Sequence, residues 1–401
     1  MEIFVCEFVS GGGLSSEYVS SSLFSEAFAM LRVLLSSFAS GGDHTITLID
    51  KRIAPIAESL PGQTLFVKSE TAFYENLQRY ATKADLIICV APETDGCLSH
   101  CSHLLETAAP GKLLGCSEEF IQLSGNKWQT ATCWNSLGLA TPETYRVTFD
   151  KARAFLQEKA GSYVVKPLDG VSGDGIVLLS TPEDLENISQ HLSYLMDGDF
   201  LLQEFKKGLH GSFSFICGDM PFLLSSNRQL IKIHDQTGFF EYQGGETPWK
   251  HPQVPLISEK AKKFLKQSSG AHGWVGIDFV VNSGKSWLIE CNPRMTSSVV
   301  GAWTLDSEAI SANLKAARNL GSYRSLPSGY SVFKKVTCRG TESWDETLRL
   351  MERPGVASPP FPFQERACAF LTAKGKSRTE AQREILSLES DLQALSFHER
   401  N

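Results

Sequence analysis

The residues with the clearest chemical potential lie in two neighbouring segments. Asp278 sits in GWVGIDFV, and Glu290 and Asn292 sit in WLIECNPR. Each segment reads as a strand, and the turn at 282–284 between them makes the pair a hairpin. A period of two turns Glu290 and Asn292 to the same side, where they can meet Asp278 across the hairpin. Three oxygen-bearing side chains suit Mg²⁺, with Mn²⁺ as the alternative ion. Two carboxylates held close without a cation would repel, and burying either would be costly. Arg294 offsets part of that charge and can reach a phosphate or a developing oxyanion with its planar donors. The plain alternative is a local salt bridge from Arg294 to Glu290 or Asp278. A lysine far upstream favours the metal and phosphate reading.

That lysine is Lys166, which closes an apolar strand at 163–166 and is followed by Pro167 and by Gly170, Gly173 and Gly175. A cation there can rest on phosphate oxygens while the glycine loop brings backbone N–H groups over them. Taken alone, it could equally be a surface lysine before an ordinary loop. Lys127, at the start of a helix over 126–137, is a second candidate phosphate contact. Gln203, Glu204 and Phe205 end another apolar strand, where backbone polar groups could meet an adenine edge and apolar side chains its ring. An exposed lysine and a plain strand end are the competing readings.

The elements that must position these groups fall into three units. Residues 1–120 alternate short apolar runs with helical patterns, which predicts a parallel α/β domain with strands at 3–8, 45–49, 64–67, 86–90 and, weakly marked, 113–114. A helix is expected over 17–38. Gly11–Gly13 lies between strand and helix and could admit a ligand or merely make a tight loop, since the dinucleotide fingerprint is incomplete. Residues 121–325 form a core with strands near 176–179, 200–205, 212–217, 222–225, 274–280 and 286–290. Helices are expected at 258–267 and 307–317, and Thr181, Pro182 and Asp184 mark a further helix start. Residues 326–401 read as a small α/β extension that completes a sheet, forms a cap or makes a subunit contact, so self-association is compatible with it. Pro354, Pro359, Pro360 and Pro362 point to an irregular connection there. A strand at 367–373 and a helix over 379–395, with Thr379 and Gln382 in capping-box form, follow.

Composition narrows the function classes. With 401 residues, 42% hydrophobic and 21% charged, the chain can bury more than one core. A net charge of -7 and a pI near 5.8, with no basic run among aromatics, argue against nucleic acid as a partner. The opening MEIFVCEFVSGGG lacks the basic region and longer apolar run of a secretion signal. No run approaches the roughly 20 continuous apolar residues of a membrane span. Several of the ten cysteines lie in apolar strand-like segments, which favours reduced thiols and a cytoplasmic location. The cluster Cys97, His100, Cys101 and His103 has helical spacing; a packed helix is the expectation, and zinc the minor alternative.

The segments SGNKWQT, YVVKPLDGVSGDGI, LLQEF, GWVGIDFV and WLIECNPRMTSS resemble successive signatures of the ATP-grasp superfamily. The opening CEFVSGGG together with ECNPRMTSS most resembles its tyramine–glutamate ligase group. The resemblance spans about residues 1–315. It implies that Lys127 and Lys166 contact ATP phosphates, that Gln203, Glu204 and Phe205 line the adenine pocket and that the Gly170–Gly175 loop covers the triphosphate. It also implies that Asp278, Glu290 and Asn292 hold Mg²⁺ and that Arg294 steadies the transferred phosphate and the acyl intermediate. In that family a carboxylate attacks the γ-phosphoryl group, and an amine then attacks the acyl phosphate. Cys291, between Glu290 and Asn292, departs from the pattern and should face away and pack.

The leading expectation is therefore an ATP-dependent carboxylate–amine ligase with small-molecule acid and amine substrates, glutamate being one candidate, in the making of a cofactor. A small-molecule kinase or phosphotransferase using the same ATP site is the alternative. A nucleotide-sensing module without turnover is a third reading, disfavoured because simple binding does not need so many groups around the transferred phosphate.

Overall fold

The computed structural model describes residues 1–170 and 175–395, arranged around three sheets. The first contains β1 (Glu2–Glu7), β2 (His44–Asp50), β3 (Gln63–Val67) and β4 (Leu86–Val90), all parallel in the order β3-β2-β1-β4. β1 is apolar at consecutive positions, Ile3 to Cys6, and all four residues are buried, as a strand covered on both faces requires. The weakly marked segment near Leu113 makes only an isolated parallel bridge to Ile87.

The first helix is Ser21–Ser40, beginning four residues later than the 17–38 expected. Ser20 sets that start, because its side chain accepts the Leu23 N–H at 3.3 Å and satisfies an otherwise orphaned donor. By length and apolarity alone this helix could cross a membrane, but 67% of its most apolar stretch is buried inside the protein. Its apolar character is accounted for by packing on β1 and on the C-terminal strands.

Gly11–Gly13 makes a tight loop. The Glu7 carboxylate accepts from the N–H groups of Val9 and Ser10 and from the Ser10 hydroxyl, at 3.1, 2.6 and 2.6 Å. A Cβ on Gly11 would lie 2.1 Å from the Glu7 carbonyl oxygen, and Gly12 has φ +102. Glu7 is buried, and that burial raises its pKa to about 7.

The second sheet is antiparallel, with β5 (Thr144–Val147), β6 (Tyr163–Lys166), β7 (Val177–Leu179) and β8 (Phe200–Glu204) in the order β5-β8-β6-β7. It has its own apolar cluster, including Val165, Leu185 and Phe200. Thr181 caps the helix Pro182–Ser189 as expected, and the Asp184 side chain makes the cap reciprocal.

The third sheet has eight antiparallel strands: β9 (Leu209–Cys217), β10 (Pro221–Ile233), β11 (Phe240–Thr247), β12 (Gly273–Asn282), β13 (Lys285–Asn292), β14 (Tyr330–Arg339), β15 (Val356–Ser358) and β16 (Arg366–Gly375). Their order is β13-β12-β9-β10-β11-β14-β16-β15. The far half of β10 and all of β11 were not legible in the sequence. EYQGGET looks like a loop, yet its glycines admit close strand approach: a Cβ on Gly244 would lie 2.1 Å from the Phe333 carbonyl oxygen.

Residues 326–401 thus contribute three strands to the sheet that also carries Asp278 and Glu290. The short β15 sits at its edge, where the prolines that follow do no harm. The final helix is Arg378–Leu395, one residue earlier than expected, and its cap is Ser377 rather than Thr379: Glu380 N–H donates to Ser377 Oγ at 3.2 Å. Apolar packing joins the first sheet and the third into one core.

The helix Cys97–Ala108 carries the Cys/His cluster, and its members are dispersed. Cys101 is buried, His100 meets the Tyr74 ring edge-on, and His103 lies 3.7 Å from Glu118. Among the described residues no group of three or more His, Cys, Asp or Glu side chains is arranged as a metal cluster. All ten cysteines are free thiols.

Candidate active site

One cleft, about 1180 Å³ with the open solvent at its mouth included, runs between the second and third sheets. Its floor is the β12–β13 hairpin, in which Asp278 pairs with Glu290 and Gly276 with Asn292, so all three candidate ligands face the cleft. Cys291 points the other way and is 2% exposed. A register shift after Asp278 breaks the ladder beside the acidic pair.

Asp278 is half-buried on the cleft wall. Burial raises its pKa to about 7, and Glu290 adds to the rise, while a hydrogen bond from Gln229 and the charges of Lys166 and Arg294 oppose it. Two facing carboxylates and an amide, one carboxyl under strong pressure to hold a proton, form a hard-oxygen donor set that lacks a cation's worth of positive charge. That set fits a divalent ion such as Mg²⁺.

Lys166 ends β6 and is 5% exposed. Its Nζ donates to Gln203 Oε1 at 2.8 Å, and Gln203 Nε2 in turn donates to Thr144 Oγ1 at 2.8 Å. The Gln203 carboxamide is therefore engaged in aiming the lysine. Burial lowers the Lys166 pKa to about 8; Lys127 lowers it further, and Glu290 and Asp278 pull it back up. Lys127 starts the helix Lys127–Ser136, donates to the Gly170 carbonyl at 2.9 Å and stands 4.0 Å from Glu290. Two cations and two carboxylates from four separate elements thus converge.

The glycine loop is pinned where it is described. Gly170 has φ +125 and Gly175 φ +73, both conformations that favour glycine. The Tyr194 hydroxyl donates to the Gly175 carbonyl at 2.6 Å. Gly173 lies outside the described residues.

One end of the cleft is apolar, lined by Val164, Ile176, Phe205, Ile231 and Phe240. Glu204, paired with Lys206, lies at its rim. His210 is also there, and burial beside Lys166 lowers its pKa to about 4, leaving it neutral near pH 7. The other end is polar, with Arg294, Thr296, Ser297, Ser298, Tyr242 and Glu26.

Arg294 does not bridge to Glu290 or Asp278. Its Nε donates to Glu93 Oε2 at 2.8 Å and its Nη1 to the Met295 carbonyl at 3.1 Å. Glu93, Gln229, Glu26 and Tyr242 were missed in the sequence. For Glu93 a signal existed: it follows the carboxyl end of β4, where loops of a parallel sheet gather around ligands. The other three lie in a long helix and in strands whose pairing the sequence does not declare.

A parallel α/β domain in front of two β lobes that close on a lysine-and-carboxylate cleft is the architecture of ATP-grasp proteins. The family profiles agree: one for the ATP-grasp domain matches residues 124–298 and one for the pre ATP-grasp 3 domain matches residues 44–121. The chain therefore has the ATP-grasp fold with a pre-ATP-grasp domain before it. Among curated proteins it is similar to the tyramine–L-glutamate ligases of Methanocaldococcus jannaschii and Methanocaldococcus fervens. It is 33% identical to the first over 225 residues, 56% of this chain, and 33% identical to the second over 227 residues, 57% of this chain. The aligned parts cover 60% and 64% of those relatives. Among solved structures, the biotin carboxylase domain of the Hydrogenobacter thermophilus 2-oxoglutarate carboxylase, in complex with MgADP, ADP and bicarbonate, superposes with a TM-score of 0.69 at 15% identity. That match covers 96% of this chain and 88% of the other.

Proposed function

We propose that this protein is an ATP-dependent carboxylate–amine ligase that activates an acid as an acyl phosphate and condenses it with a primary amine. The observation that carries the reading is the convergence of Lys166, Lys127, Asp278, Glu290 and Arg294 around one point between an apolar pocket and a polar one. The apolar end suits adenine, and Lys166 and Lys127 would meet phosphate oxygens. Asp278, Glu290 and Asn292 would hold Mg²⁺, which when bound would neutralise charge on the transferring phosphoryl group. Arg294, fixed by Glu93, would meet the oxygen that gains charge when the amine attacks the acyl carbon. L-Glutamate as the acid and a role in cofactor biosynthesis are supported by the similarity to the two archaeal ligases. We also read the chain as three units, 1–120, 121–325 and 326–401, the last sharing the sheet of the second.

The test is turnover with ATP, Mg²⁺, L-glutamate and a panel of amines, followed by product mass. A condensed amide with ADP and free phosphate supports the ligase. A phosphorylated acceptor without condensation would replace it with a phosphotransferase, and nucleotide binding without ADP release across a broad acid and amine set would count against both.

A further inference from the structure

The polar end of the cleft contains an ionic wall drawn from all three parts of the chain. Glu26, on the helix Ser21–Ser40, lines the cleft and is 8% exposed. Lys335, on β14, reaches Glu26 Oε2 at 3.3 Å, donates to Ser22 Oγ at 2.9 Å and lies over the Tyr242 ring at 5.3 Å. Tyr242, on β11, faces the same space, and its hydroxyl oxygen accepts from Ser297 at 3.1 Å. The charge of Glu26 also raises the Arg294 pKa, which places it within electrostatic reach of the reaction centre. Among the described residues no donor is hydrogen-bonded to Glu26 Oε1.

A simple bridge of Glu26 and Lys335 needs no cavity beside it. Here the bridge engages one oxygen at 3.3 Å, and Glu26 lines the cleft together with Arg294. A nearly buried carboxylate with an open acceptor is a site for a cationic donor. Hydroxyls of Tyr242 and Ser297 flank it, so the group it receives is compact and polar.

Resting on the ligase reading, we propose that Glu26 is the docking carboxylate for an ammonium group of the substrates, with Lys335 holding it in place. Two sources share this chemistry: the ammonium of an amino-acid substrate whose carboxylate is activated, or the ammonium of the attacking amine. In the second case the ammonium must lose a proton before its nitrogen attacks. The C–N bond then forms, the C–O bond to phosphate breaks, phosphate departs with the electron pair, and one further proton is released.

Hydroxylamine separates the two sources, because it is uncharged near neutral pH and traps acyl phosphate as a hydroxamate without needing an ammonium site. The full chain and its Glu26→Gln and Lys335→Met variants are assayed with ATP, Mg²⁺ and L-glutamate, once with hydroxylamine and once with tyramine. Loss of a charged hydrogen bond should raise one KM in the Glu26→Gln variant by about tenfold or more. A rise in the KM for glutamate in the hydroxamate assay assigns the ammonium to the acid. A rise only in the KM for tyramine assigns it to the amine. Lys335→Met, which leaves Glu26 charged but no longer held, should raise that same KM by less than Glu26→Gln does. If both variants lower the melting temperature and Glu26→Gln moves neither KM by more than about twofold, the wall is purely structural and the proposal is overturned. If the unaltered protein makes no hydroxamate and no amide from glutamate, the ligase reading itself has failed.

Discussion

Arg294 and Glu93 stand 201 residues apart in the chain and share a 2.8 Å hydrogen-bonded ion pair, with side chains 11% and 7% exposed. The pair ties the first domain to the reaction centre of the core. Glu93 Oε1 has no partner among the described residues, so the carboxylate is held by Arg294 alone. Burial tends to lower the Arg294 pKa, but the charge of Glu93 and its hydrogen bond outweigh that and raise it.

Glu93→Gln should therefore leave Arg294 buried without its counter-charge. Breaking a buried pair from one side costs about 3–5 kcal/mol, so denaturant midpoints should fall sharply. Among molecules still folded, kcat should fall while the KM for ATP changes little, because Glu93 positions Arg294 and does not line the apolar end. Glu93→Asp should recover part of kcat. Equal loss of ATP affinity would show that the pair acts only through the fold.

Glu290→Gln removes one negative donor and keeps the size of the side chain. The Mg²⁺ requirement for ADP formation should shift to higher concentration, with partial recovery at excess metal by mass action. A folded variant with normal turnover and unaltered Mg²⁺ dependence would remove Glu290 from the metal site.

The raised pKa of Asp278 gives a stability signature. Without metal, the folded state holds a proton on Asp278 between about pH 4 and 7 that the unfolded chain has released, so this group's contribution falls as pH rises through that window. Glu7 has the same sign and nearly the same window. Mg²⁺ should act on the Asp278 part alone, so the rise in melting temperature on adding Mg²⁺ should be larger at pH 8 than at pH 5. Asp278→Asn should remove that difference and leave the slope due to Glu7.

Lys166 titrates the other way. Its folded pKa of about 8 lies below the ordinary 10.5, so stability rises with pH across that interval as the unfolded chain binds the extra proton. If the charged form meets phosphate, ADP affinity should weaken above pH 8, approaching about tenfold per pH unit if neutral lysine contributes nothing. Calorimetric titration at several pH values would read this, and Lys166→Met should bind weakly with a flat profile.

Truncation after Gly329 should be destructive. It would expose the edge of β11, strip the apolar cover from the helix Ser298–Leu305 and uncover part of the helix Ser21–Ser40. Loss of the cooperative melting transition is expected. A stable, ATP-binding remnant would show instead that residues 326–401 are an appendage.

Much of the site was legible because it is local. Period two in β13 puts Glu290 and Asn292 on one face and Cys291 on the other, and a short turn brings Asp278 opposite. Lys166 at the end of an apolar strand, and glycines at 170 and 175 that take positive φ, are likewise properties of a few consecutive residues. The parallel first sheet follows from the same kind of signal, since its central strand β1 and its neighbour β4 are continuous apolar runs. What the sequence could not supply is pairing between distant segments. Gly244 and Gly245 look like loop until β14 closes against them, and Arg294 looks as able to pair with Glu290 as with anything else. Glu26 and Lys335 have no motif and Glu93 only its place after β4, because their roles arise only when the first domain and β14 pack beside the core. Local periodicity fixes which way a side chain faces; only tertiary packing decides which charge it meets there.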